Sequence, residues 1–127
     1  MKKYKLTILF LLISIISFSQ AIEKDILGTW EMTYDGPDYT WTFNKDGTLI
    51  ENNFGTISNY TYKFVGFKEC NSRFTETEYE TIVSIIDKDG DAICYGVSLS
   101  KLENRHDLSF EEITSGMGML LLEKYFD

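Results

Sequence analysis

Apolar and polar residues alternate with a period of two along most of the chain. That spacing turns one face of a β-strand toward a core and the other toward water. In Thr29 to Tyr34, Trp30, Met32 and Tyr34 share one face, and Thr29, Glu31 and Thr33 share the other. A turn at Asp35-Gly36-Pro37-Asp38 follows, holding the only proline. Tyr39, Trp41 and Phe43 then alternate with Thr40 and Thr42 as a second strand. Asn44-Lys45-Asp46-Gly47 carries the residues of a tight hairpin and leads into Thr48 to Asn52. Asn53 to Asn59 reads as a polar connection, after which Tyr60, Tyr62 and Phe64 alternate with Thr61, Lys63 and Val65. Gly66 to Arg73 breaks the pattern, and Glu76 to Ile86 resumes it. Asp87-Lys88-Asp89-Gly90 repeats the hairpin chemistry before Asp91 to Ser98. Leu108 to Ile113 and Met119 to Tyr125 complete about eight strands, parted by Thr114-Ser115-Gly116.

Short turns between successive strands predict an all-β fold: a single antiparallel up-and-down β-barrel of about eight strands, whose closure removes the sheet edges. A β-sandwich is the competing all-β arrangement. No segment has a convincing amphipathic helix of ten residues, and no linker or repeat divides the chain.

The beginning of the chain follows different rules. Lys2, Lys3 and Lys5 precede an apolar run from Leu6 to Phe18, and Ser19-Gln20-Ala21 supplies small residues at a cleavable spacing. Residues 1–21 therefore read as a signal peptide, with cleavage after Ser19 or Ala21, and 22–127 as one domain. The run of 13 residues is too short to span a bilayer as a helix, so no stable membrane insertion is expected after cleavage. The expected location is the periplasm or the extracellular medium. The remaining 9 basic residues face 20 acidic ones, a net charge of −11. Such a charge argues against nucleic acid and anionic lipid as partners. It is compatible with plain solvation or with a basic protein partner.

Cys70 and Cys94 are the only cysteines. In an exported chain such a pair predicts a disulfide, worth roughly 3 kcal/mol for a loop of about 25 residues. Two free thiols or half of a metal site is the alternative, though the single histidine leaves such a site short of ligands.

Several patterns, in order, resemble the lipocalin-like domains of exported bacterial proteins. They are Leu27-Gly28-Thr29-Trp30, Phe43-Asn44-Lys45-Asp46-Gly47-Thr48, Tyr95-Gly96-Val97 with Leu102-Glu103-Asn104, Leu108-Ser109-Phe110, and Leu121-Leu122-Glu123-Lys124. The resemblance implies a small calycin-type barrel and non-covalent binding. It also implies that Gly28 and Trp30 are structural, with the indole plugging the closed end. In that family an arginine usually packs over the indole; here the late positions depart from the pattern, offering Lys124, while Arg105 reads as a turn residue. An eight-stranded barrel can be filled by side chains or can hold one small ligand. Trp41, Phe43, Tyr60, Tyr62 and Phe64 are the candidate pocket lining, and ordinary core is their other reading.

Catalytic chemistry finds little support. Asp87 to Asp91 suggests a calcium loop, but glycine stands fourth rather than sixth, so a hairpin turn is expected. His106, in Asn104-Arg105-His106-Asp107, reads as a surface turn residue without a nucleophile. Glu76, Glu78 and Glu80 read as the wet face of a strand. No catalytic residue, metal ligand or cofactor is assigned. The expected function is a binding protein for a small apolar or amphipathic ligand. The alternative is an interaction module, inhibitor or immunity-type, that uses its acidic surface.

Overall fold

The structure, a computed structural model, describes residues 22–70, 78–114 and 118–126. The region read as a signal peptide lies outside them. Eight strands form a closed barrel in simple sequence order: β1 Gly28–Met32, β2 Gly36–Phe43, β3 Thr48–Asn53, β4 Thr56–Val65, β5 Ile82–Ile86, β6 Ala92–Lys101, β7 Arg105–Glu112 and β8 Met119–Tyr125. Every neighbouring pair is antiparallel, and β1 closes on β8 through Glu31 opposite Glu123 and Met32 opposite Leu122. The up-and-down barrel expected from the periodicity is the observed fold; the sandwich is not.

The alternation of each strand fills the barrel. Trp30, Phe43, Leu49, Val83, Leu108, Phe110 and Leu122 are all at most 1% exposed. Phe43 and Phe110 stack with ring centroids 5.8 Å apart, and Trp41 tilts onto Phe110 at 5.6 Å. A short helical turn at residues 22–25 delivers Ile26 into this core from below. That end also carries the turns after β2, β4 and β6; the turns after β1, β3, β5 and β7 gather at the opposite end.

Turn chemistry explains the register. In the β2–β3 hairpin, Gly47 has φ +90°, and the Asp46 carboxylate accepts from Thr48 N at 3.0 Å and Thr48 Oγ1 at 2.6 Å. Those bonds hold the Asp46 carboxyl below its ordinary pKa. Asp87 does the same work between β5 and β6, its Oδ1 accepting from Asp89 N at 2.9 Å and Asp91 N at 3.0 Å. The turn reading of that segment holds.

Four local expectations are corrected. The polar stretch 53–59 is not a long connection: β3 runs to Asn53 and β4 starts at Thr56, joined by Phe54 and Gly55 at φ +51° and +95°. Two consecutive positive φ angles make the tight hairpin that matches strand twist, and Asn52 Oδ1 supports it by accepting from Gly55 N at 2.9 Å. The first turn falls earlier than expected, at 33–35, and Pro37 sits inside β2 where the pairing with β1 is irregular, so no ladder bond needs its missing N–H. Arg105, His106 and Asp107 belong to β7 rather than to a turn; His106 packs on Phe126 with centroids 4.5 Å apart. The run 76–86 is strand only from Ile82. Glu76 lies outside the described residues, and Glu78 and Glu80 lie before the strand, exposed.

The last correction has a packing cause. The segment leading out of β4 covers the outer wall of the barrel. Phe67, Cys70 and Val65 pack with Ile82, Cys94 and Ile113 in a small second core. Cys70 and Cys94 form the disulfide, with Cα atoms 6.1 Å apart. Tyr79 lies flat against the wall where Gly96 has no side chain: a Cβ there would come within 2.3 Å of the ring. Its hydroxyl donates to Glu111 Oε2, and that bond, ahead of burial, pushes the phenol pKa up to about 12.

Candidate functional site

At the closed end every polar group of the indole plug has a partner. Trp30 is fully buried, and its Nε1–H donates to Ile26 O at 2.7 Å. Lys124 reaches across from β8, its Nζ 4.9 Å from the Trp30 ring centre and 2.6 Å from Leu27 O. Burial holds the Lys124 amine below its ordinary pKa. Gly28 makes this approach possible, because it has φ +108° and a Cβ would stand 2.7 Å from Nζ. The glycine two residues before the tryptophan thus serves the lysine as much as the strand. Arg105 pairs instead with Asp107, Nε to Oδ1 at 2.8 Å.

The opposite end is open in the middle. A cavity of about 350 Å³ sinks into the barrel between β2, β3, β4, β5, β6 and β8. Its walls are aromatic on one side, from Tyr39, Trp41, Tyr60 and Tyr95. Ile85, Ile93 and Leu120 make the apolar side, and Glu51, Asp87 and Asp91 supply carboxylates. Period two puts Glu51 on the inner face of β3, opposite Trp41. A carboxylate facing a barrel interior is costly unless hydrogen-bonded. Here Glu51 Oε2 accepts from Tyr39 Oη at 2.7 Å and from Trp41 Nε1 at 3.2 Å.

Two phenols of this mouth, Tyr39 and Tyr95, are held neutral. Burial first, then the bond to Glu51, pushes the Tyr39 pKa up to about 12. Tyr95 is pushed up to about 12 by burial first and then by the negative charge of Glu112. At neutral pH the mouth therefore offers the uncharged hydroxyls of Tyr39 and Tyr95, π faces and acid groups, and among the described residues no cationic side chain lines it.

The five candidate lining residues separate. Trp41 and Tyr60 face the cavity. Phe43 lies deeper, 1% exposed between Phe110 and Tyr62. Tyr62 spends its hydroxyl on Asn44 O at 2.7 Å, tying β4 to the β2–β3 turn. Phe64 lies toward the closed end, beside a recess of about 240 Å³ that Glu23, Glu69 and Glu80 also line. Tyr39, Glu51 and Tyr95 were missed as site residues. Glu51 had a signal: it is the one acid in phase with the inner face of β3.

Among the described residues, no group of histidine, cysteine, aspartate and glutamate side chains is arranged to hold a metal ion, and no helix is long and apolar enough to cross a membrane. No protein-family model, no curated protein and no solved structure matches the chain.

Proposed function

We propose that the protein is an exported, lipocalin-like binding protein that holds a small molecule in the open end of its barrel without transforming it. The observation that carries this reading is the cavity of about 350 Å³ within an otherwise packed barrel, a volume at the lower end of small-molecule sites. Further support comes from the contrast in wall chemistry: four aromatic side chains give area, and Glu51 gives orientation. The buried indole plug, covered by a lysine where the lipocalin comparison implies an arginine, is further support. A non-catalytic role is supported by the position of His106, which belongs to the far end of β7 rather than to the cavity. Export is supported by the amino-terminal pattern and is in keeping with the disulfide. The rival reading, an acidic surface for a basic protein, rests on the net charge and on the glutamates before β5, of which Glu78 and Glu80 are exposed.

Native mass spectrometry of the protein purified from its own host tests the proposal. A stoichiometric small-molecule adduct is expected, lost when Trp41 and Tyr60 are both replaced by alanine. An unliganded mass, together with no uptake from a host metabolite extract, would remove the binding role and leave the fold.

A further inference from the structure

We infer that the mouth of the barrel selects small organic cations: an amine or quaternary ammonium group on a short apolar body. This rests on the binding reading above and specifies its ligand class.

Three features of the cavity converge on this. The first is charge. Glu51, Asp87 and Asp91 line it, and among the described residues its lining includes no lysine, arginine or histidine. An anionic ligand would enter against three carboxylates. A neutral apolar ligand would strip water from Glu51 and return no charge to it, which is costly in a confined site. Only a cation turns that desolvation into an ion pair.

The second is the aromatic enclosure. Tyr39, Trp41, Tyr60 and Tyr95 present rings around the same space, with Trp41 and Tyr95 edge-to-face at 6.5 Å. A ring face attracts a cation, more strongly when the pair is desolvated, and tryptophan is the strongest such partner. Several rings around a carboxylate match the recognition of ammonium groups; the same rings alone would only signal hydrophobicity.

The third is preorganisation. Glu51 is fixed before any ligand arrives, because Tyr39 and Trp41 both donate to its Oε2. The donors are neutral, so they orient the carboxylate without cancelling its charge. Tyr39 stays a donor throughout the physiological range because its pKa lies near 12. The apolar body of the ligand then meets Ile85, Ile93 and Leu120.

Three probes of one shape separate the possibilities: phenylethylamine, phenylethanol and phenylpropanoate, titrated calorimetrically into the disulfide-intact domain at neutral pH. The ammonium is expected to bind at least tenfold tighter than the alcohol, and the carboxylate not at all. Glu51→Gln should bring the ammonium down to the affinity of the alcohol, since the amide oxygen still accepts from Tyr39 and Trp41 but carries no charge. Tyr60→Leu, which removes a ring and no hydrogen bond to Glu51, should weaken the ammonium several-fold at an unchanged melting temperature. Equal affinity for ammonium and alcohol, or tighter binding of the carboxylate, would overturn the cation inference while the binding role stood. Failure of all three probes, with a host-purified protein free of adduct, would remove both.

Discussion

The two ends of the barrel each hold a tryptophan beside a charge, and they use the pair in opposite ways. At the closed end Trp30 is sealed from water, its N–H is spent on Ile26 O, and the lysine above it is spent on Leu27 O. All of those partners belong to the chain. At the open end Trp41 and Tyr39 donate to Glu51, and the carboxylate faces a cavity that, among the described residues, no basic side chain lines. A charge with a full set of partners in its own chain is a fastening. A charge fixed in place, with no basic side chain among the described residues lining its cavity, suits an incoming opposite charge, as inferred above. The signs differ as well, so the closed end cannot substitute for the mouth.

This contrast breaks most visibly at the plug. Trp30→Ala should cost about 3–5 kcal/mol, the range for removing a buried large aromatic, and the purified variant should be largely unfolded at moderate temperature. Trp41→Phe keeps a ring at the mouth and loses one hydrogen bond, so its cost should stay near 1–2 kcal/mol. Chemical denaturation of both variants checks the ranking. Equal costs would mean that the mouth tryptophan is also a structural plug.

The disulfide sharpens the comparison from outside the barrel. Cys94 is buried on the outer face of β6, where the covering segment packs. Replacing both cysteines by serine should lower stability by about 3 kcal/mol, because the loop they close spans 24 positions. Affinity for a cationic probe should not change, since neither cysteine lines the mouth. A double variant that kept its stability and lost the probe would place the site on the outer wall instead.

The two charges themselves supply a finer test. Lys124→Met keeps the length of the side chain and removes the donor to Leu27 O and the cation over Trp30. An unsatisfied carbonyl and a lost cation–aromatic contact together should cost about 1–3 kcal/mol, read as a lower melting temperature with binding intact. Glu51→Gln should do the reverse: a melting temperature within a few degrees of the parent, and binding selectivity gone. A variant pair that moved both properties together would erase the division between fastening and receptor.

Much of this was legible in the residues, for identifiable reasons. Strand number and hairpin order follow from period two and from Asn44–Gly47 and Asp87–Gly90, whose bonds are local and so are written locally. Trp30 and Gly28 could be read through family likeness, but their physical reason could not. It depends on Lys124, which bonds Leu27 O across 97 positions and fills the space where Gly28 lacks a Cβ. The same holds for Gly96, whose missing side chain seats Tyr79. The candidate pocket was half legible because alternation shows which residues face inward but not how far along the barrel axis they lie. Trp41 and Phe43 share a face, yet tilt carries one to the cavity and the other into the stack with Phe110. The hairpin at Phe54 was hidden because a phenylalanine at positive φ is rare, so nothing in its identity announces the turn.

The smallest effect is the one on pH. Tyr39 and Tyr95 at the mouth, and Tyr79 on the outer wall, all have pKa values raised to about 12 from an ordinary value near 10. A raised pKa means that the native state holds the phenolic proton more tightly than the unfolded chain does. The resulting stability is fully present below pH ~10 and is lost as pH climbs from there through about 12. Denaturant midpoints should therefore be flat from neutral pH to about 10 and fall above it, with tyrosinate absorbance rising over the same interval. Tyr39→Phe with Tyr95→Phe should flatten part of that fall, and Tyr79→Phe a smaller part, because Tyr79 is the least enclosed of the three. At the closed end Lys124 acts with the opposite sign. Burial lowers its pKa from the ordinary 10.5, so the native state sheds that proton first and regains stability as pH rises toward 10.5, and Lys124→Met should make the alkaline fall slightly steeper. An alkaline limb that responded to Lys124→Met as strongly as to the mouth tyrosines would show the two ends to be one coupled unit.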